Sequence, residues 1–177
     1  YRGMAPAATL LSFRAWDNAA ELVEQYEQAI GLYGIDISNN SWGKVEWHAY
    51  KDYCAALDDI VRGGLGKPVS IVCAAGNEGD WATIASTAVG KNVVTVGATN
   101  SDDGSIWSWS NKGPTADGRL KPDLMSPGCE SRKGWGIWST LPGNRYGSGC
   151  GTSLAVPSVS GTLALLLEDW RAIHETD

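Results

Sequence analysis

Residues 151–161 read G-T-S-L-A-V-P-S-V-S-G, a small-residue turn that delivers Ser153 to the start of an apolar helix. Helix starts carry N–H groups without an intrahelical acceptor, and the field there favours negative charge, so a serine hydroxyl suits nucleophilic chemistry. The same residue type is also an ordinary N-cap, and Ser153 by itself is compatible with either role. Pro157 does not argue against the helix, because early N–H groups have no intrahelical acceptor to lose. A second polar residue, Asn77, stands in Gly76-Asn77-Glu78-Gly79, a turn whose glycines allow close backbone approach. Alone, Asn77 fits a turn asparagine that satisfies its own backbone. The histidines, His48 beside Trp47 and His174 in a polar tail, read as surface residues rather than as a base for Ser153.

These residues need elements to hold them. Residues 9–13 (T-L-L-S-F) are short, apolar and β-tolerant, and read as a strand. Asn18 and Glu21 form an N-x-x-E capping pair ahead of Leu22, Val23, Tyr26, Ala29 and Ile30 at helical spacing, a helix ending near Gly31 or Gly34. A strand follows at 35–41, then a helix over 47–61 with Tyr53, Leu57, Ile60 and Val61 on one face. Residues 70–75 and 93–98 are nearly continuous apolar strands. Strands of that kind alternating with helices imply a parallel sheet covered on both faces, an α/β three-layer fold, with functional groups beyond the strands' carboxyl ends. Segments 39–43 and 76–79 fall there. From 100 to 149 the texture is Gly, Pro, Ser and Trp, which reads as irregular loops with short β pieces at 106–110 and 137–140. Trp107, Trp109, Trp135 and Trp138 fit either a cleft lining or loop packing. The final helix, 153 to about 170, has an apolar middle at Leu163, Leu166 and Leu167 and is expected to be buried on most sides.

The bulk properties narrow the function. A chain of 177 residues with net charge −6 and no Lys/Arg run is one globular domain or a large piece of one, without an electrostatic footprint for nucleic acid or anionic membrane. No apolar run approaches the roughly 18 residues of a membrane span. Four cysteines without C-x-x-C spacing argue against a zinc site. Cys73 reads as a buried thiol, while Cys129 and Cys150 lie in loops where a disulfide can form. Asp102-Asp103-Gly104 reads as a turn; structural calcium has no ligand-rich loop to support it, and no cofactor is required.

Taken together, G-T-S-L-A-V-P-S-V-S-G resembles the catalytic-serine motif of the subtilisin-like serine proteases, the subtilases. Ala74-Ala75-Gly76-Asn77-Glu78-Gly79 resembles their oxyanion-asparagine segment and Asn40-Ser41-Trp42-Gly43 their substrate-pairing strand. Ser108-Trp109-Ser110-Asn111-Lys112-Gly113-Pro114, running on to Asp117-Gly118-Arg119, Lys121-Pro122-Asp123 and Pro127-Gly128, resembles the loop and strand preceding the serine, and Thr140-Leu141-Pro142-Gly143-Asn144 matches in the same order. The resemblance implies a serine endopeptidase in which Ser153 is the nucleophile and Asn77 a donor to the oxyanion, joined by the Ser153 N–H. It further implies that Ser41, Trp42 and Gly43 bind extended substrate, with Ala74, Ala75 and Gly76 forming a pocket wall that admits an apolar or aromatic side chain. Trp42 departs from the smaller aliphatic residue often found there. The family's aspartate and histidine motifs precede the segment that Tyr1-Arg2-Gly3-Met4-Ala5-Pro6 resembles. Residues 1–177 are therefore expected to be the C-terminal portion of one peptidase domain, incomplete at the N-terminal side, with an unpaired sheet edge and little activity of its own. The expected partners are a polypeptide substrate and the missing N-terminal segment, with neither nucleic acid nor membrane. The resemblance implies a secreted or extracytoplasmic setting. The alternative is a non-catalytic module of the same fold that binds extended peptides, for which neither Ser153 nor Asn77 would be needed.

Overall fold

The strands expected at 35–41, 70–75 and 93–98 form as three adjacent parallel strands. The structure, a computed structural model, describes residues 3–14, 18–43, 49–81, 83–131 and 136–174. Its main sheet has four strands in the order β1 (Ile37–Asn40), β2 (Ser70–Ala74), β3 (Val94–Asn100) and β4 (Leu124–Cys129), every neighbouring pair parallel. Strand periodicity sorts β2 into two faces. Ile71 and Cys73 join the core beneath helices α1 (Ala19–Tyr33) and α2 (Asp52–Val61). Val72 and Ala74, with Val96 and Ala98 of β3, pack under helix α3 (Thr152–His174). Two cores on opposite faces of one parallel sheet make the three-layer α/β fold that the strand pattern implies.

Helix α1 starts where Asn18 Oδ1 accepts from Ala20 N and Glu21 N, and ends at Gly34, whose φ of 61° suits a residue without a Cβ. The Asn18 Nδ2 also donates to Glu21 Oε1 at 2.9 Å, closing the capping pair through side chains. Asp36, just before β1, accepts from Arg171 of α3 and Lys67 at 2.7 Å each, tying the far end of α3 to the sheet.

Several expectations are corrected. Residues 9–13 form no strand; Leu10 is 90 % exposed, and β1 pairs with β2 alone among the described residues, so no ladder reaches this segment. The expected 47–61 helix begins at Asp52, while Trp47 and His48 lie outside the described residues, as does Trp135. Helix α3 is not buried on most sides. Only Thr152, Ala155 and Val156 are buried, and Leu166 is 60 % exposed, because α3 meets the sheet along one stripe and its outer side is approached by Met4 and Ala5 at Gly161 without being covered along its length. Of the two short β pieces expected between 100 and 149, 106–110 forms no strand and contributes only an isolated bridge from Ile106 to Thr99, whereas 137–140 is β5 (Ile137–Leu141), which pairs with β6 (Arg145–Gly149) as an antiparallel hairpin; β4 extends the parallel sheet. Cys129 and Cys150 are disulfide-bonded.

Candidate active site

Three segments from the carboxyl ends of parallel strands converge on the start of α3. The turn that delivers Ser153 is held from the β4 side: Gly151 N donates to Gly128 O at 2.9 Å, and the Cys129–Cys150 disulfide lies one residue beyond each partner. A Cβ on Gly128 would lie 2.6 Å from Gly151 O, so glycine there permits the approach. The loop after β2 supplies Asn77. Its Oδ1 accepts from both Thr152 N and Thr152 Oγ1 at 2.9 Å, so the first amide of α3 is capped from a distant loop. Ser153 is therefore not the N-cap.

Ser153 instead meets the end of β1. Its Oγ donates to Ser41 O at 2.9 Å, and Ser41 Oγ donates to Ser153 O at 2.9 Å. The second bond has a cause within the helix. The Ser153 carbonyl would ordinarily accept from the N–H four residues on, and that residue is Pro157, which has none. Ser41 supplies the missing donor.

With Oδ1 spent on Thr152, the Asn77 amide group is turned so that Nδ2 is available. A Cβ built on Gly151 would lie 3.5 Å from Asn77 Nδ2, 3.6 Å from Asn77 Oδ1 and 3.7 Å from Ser153 N, so both nitrogens lie close to that glycine, with Oδ1 already taken by Thr152. First-turn amides have no intrahelical acceptor, and the dipole of the 23-residue α3 adds positive potential at the same end.

A cavity of about 130 Å³ adjoins this point, lined by Trp42, Gly43, Ala74, Gly76, Ala85 and Ser153 among others. Trp42 forms one wall while packing against the core under α1 and α2, and Gly43 lies against Ala85. Ala75 belongs to that core and is fully buried. Trp107 packs beneath α3, whereas Trp109 and Trp138 are exposed, and none of the three lines the cavity. The described histidine, His174, sits at the opposite end of α3, about 32 Å from Ser153 at the helical rise per residue. Its Nδ1 lies 2.8 Å from Trp170 O.

Sequence reasoning did not single out Thr152, Glu78 or Asn111. Thr152 anchors Asn77, the Glu78 carboxylate accepts from Asn77 N at 3.1 Å, and Asn111 is hydrogen-bonded across the whole turn. Each acts on a residue remote in the chain, apart from Glu78, whose glycine-flanked turn was the one signal at hand.

A family model described as the subtilase family, peptidase S8, matches residues 1–175. Serine protease AprX of Bacillus subtilis strain 168 is 32 % identical over 199 residues, covering 95 % of this chain and 44 % of that protein. Subtilisin E of the same organism is 31 % identical over 173 residues, covering 93 % of this chain and 40 % of its own length. The chain thus spans less than half the length of these two relatives. Among solved structures, the patellamide maturation protease PatA superposes with a TM-score of 0.70 at 27 % identity, covering 89 % of this chain and 53 % of that one.

Proposed function

Because the chain belongs to the subtilase family, a family of serine proteases, we propose that it is the C-terminal part of a serine endopeptidase domain with Ser153 as nucleophile. Ser153 Oγ attacks the carbonyl carbon of the scissile peptide while a base takes its proton. The carbonyl oxygen, now negative, accepts from Asn77 Nδ2 and Ser153 N. Collapse of the tetrahedral adduct expels the amine, which takes the proton, and water then hydrolyses the ester on Ser153. The base and its orienting carboxylate would come from a part of the domain outside this chain, which spans less than half of the two relatives. Without them Ser153 retains weak reactivity at most.

The observation that carries this reading is the fixing of Asn77 by Thr152, which leaves an amide donor beside the Ser153 N–H. A peptide-binding module needs no such pair. Extended substrate would lie along 41–43 and place a side chain in the small cavity walled by Trp42 and Ala74. The chemistry calls for no cofactor, and the Cys129–Cys150 disulfide suits an extracytoplasmic setting.

A fluorophosphonate probe tests the reading. In the complete protein it is expected to label Ser153 and to fail with Ser153→Ala, while residues 1–177 alone react slowly. Folded complete protein that takes no label, yet still binds peptides, would establish the non-catalytic alternative.

A further inference from the structure

Asn111 stands on the loop between β3 and β4 and is 1 % exposed. Its side chain uses every hydrogen bond it can make, all of them on the segment that carries Asn77. Oδ1 accepts from Glu78 N at 2.6 Å and Gly79 N at 3.0 Å. Nδ2 donates to Thr83 O at 2.5 Å and to Glu78 Oε2. Its backbone N donates to Gly76 O at 3.0 Å. Two backbone N–H groups on one amide atom identify that atom as oxygen, so the orientation is unambiguous.

The consequence falls on Asn77. Its own N–H goes to Glu78 Oε2, the same carboxylate oxygen that receives Asn111 Nδ2, and the next two amides end on Asn111 Oδ1. The backbone after Asn77 is thereby held directly by the Asn111 side chain, its own N–H through the Glu78 carboxylate that Asn111 fixes, and Gly76 before it by the Asn111 backbone, while Thr152 holds only the tip of its amide. The approach is close: a Cβ on Gly76, whose φ is 112°, would lie 2.2 Å from Asn111 Nδ2. Backbone ties remain beside it, with Lys112 N donating to Asp80 O and Thr83 N to Lys112 O. Loss of the Asn111 side chain should therefore leave the loop in place and its turn misaimed.

We propose that Asn111 is a positioning residue, which touches no substrate and acts through the Gly76–Gly79 turn to aim the Asn77 amide. This rests on Asn77 being the oxyanion donor. The test measures kcat and KM of the complete protein on a chromogenic peptide amide for wild type, Asn111→Ala and Asn111→Asp, each alone and combined with Asn77→Ala, below the melting temperature of every variant. Asn111→Asp guards against misfolding, because it retains the acceptor for both buried N–H groups while losing the donors. The expected result is a fall in kcat of about 10- to 100-fold for either Asn111 variant, short of the loss on removing an oxyanion donor outright. KM should stay within about 2-fold, and the effect should shrink below about 3-fold once Asn77 is alanine, because the group being aimed is gone. Equal losses in both backgrounds, or a rise in KM at unchanged kcat, overturn the inference alone. A wild type that neither cleaves peptides nor labels at Ser153 overturns it together with the protease reading.

Discussion

Ser41→Ala should weaken the protein by an amount that depends on Pro157. The substitution leaves the Ser41 carbonyl, and so the bond from Ser153 Oγ, in place, and removes the donor 2.9 Å from Ser153 O together with the acceptor of the exposed Asn39 Nδ2, which water can replace. That carbonyl is half-buried and, because residue 157 is proline, has no helical donor to fall back on. Losing a net hydrogen bond costs about 1 kcal/mol, and stranding a buried acceptor costs up to about 3 kcal/mol. Partial burial sets the expectation near 1.5 kcal/mol, a fall of roughly 3–6 °C in Tm for a domain of this size. In a Pro157→Ala background the new N–H can donate to Ser153 O, so the same Ser41→Ala change should cost less than about 0.5 kcal/mol. Thermal unfolding of the four proteins in this cycle provides the measurement. Equal destabilisation in both backgrounds would refute the idea that proline creates the vacancy Ser41 fills.

Gly151→Ala should lower fluorophosphonate labelling of Ser153 by about 10²-fold when measured well below the Tm of the variant, since the added methyl enters the space 3.5 Å from Asn77 Nδ2 and 3.7 Å from Ser153 N. Reduction of the Cys129–Cys150 bond, which closes a sequence separation of 21 residues, should cost about 3 kcal/mol in chemical denaturation, and Cys150→Ser should reproduce that loss without reductant. Partial burial pushes the Asp36 carboxyl up, but the hydrogen bonds and charges of Arg171 and Lys67 outweigh this and hold it below the usual carboxylate range. A depressed folded-state pKa gives stability that is complete above the unfolded pKa and lost as pH falls through the folded one. Asp36→Asn should therefore cost about 1 kcal/mol at neutral pH, and melting curves of variant and wild type should converge below about pH 4.

Much of the fold is legible because its signals are local. Strands β2 and β3 are covered on both faces and read as unbroken apolar runs, and α1 announces itself by Asn18 at one end and Gly34 at the other. Strand β4 is legible only through the family resemblance of its sequence, not from propensity. Its Pro127 and Gly128 oppose strand propensity, but Pro127 is tolerated at a sheet edge and Gly128 is needed against Gly151. The apolar composition of α3 marks a helix without revealing how many sides are covered. At the site, Ser153 and Asn77 are visible through glycine-rich turns, whereas the choice between nucleophile position and N-cap turns on Asn77 reaching Thr152 across 75 residues. Asn111 is hidden for the same reason, because its partners lie some 30 positions earlier.

The two unpaired thiols give this fold a clock. Cys54 on α2 and Cys73 on β2 are both 0 % exposed within one core, and burial pushes the Cys73 thiol up to about 12. Alkylation needs a thiolate in contact with reagent, so neither sulfur reacts until its layer opens. Both face the one core between the helices α1 and α2 and the sheet, so the rate at which each is modified under native conditions reports the opening of that shared layer. If the helical layer lifts as a unit, the two will be modified at a single common rate; Cys54 modified well before Cys73 would mean that α2 opens locally while the sheet face stays covered.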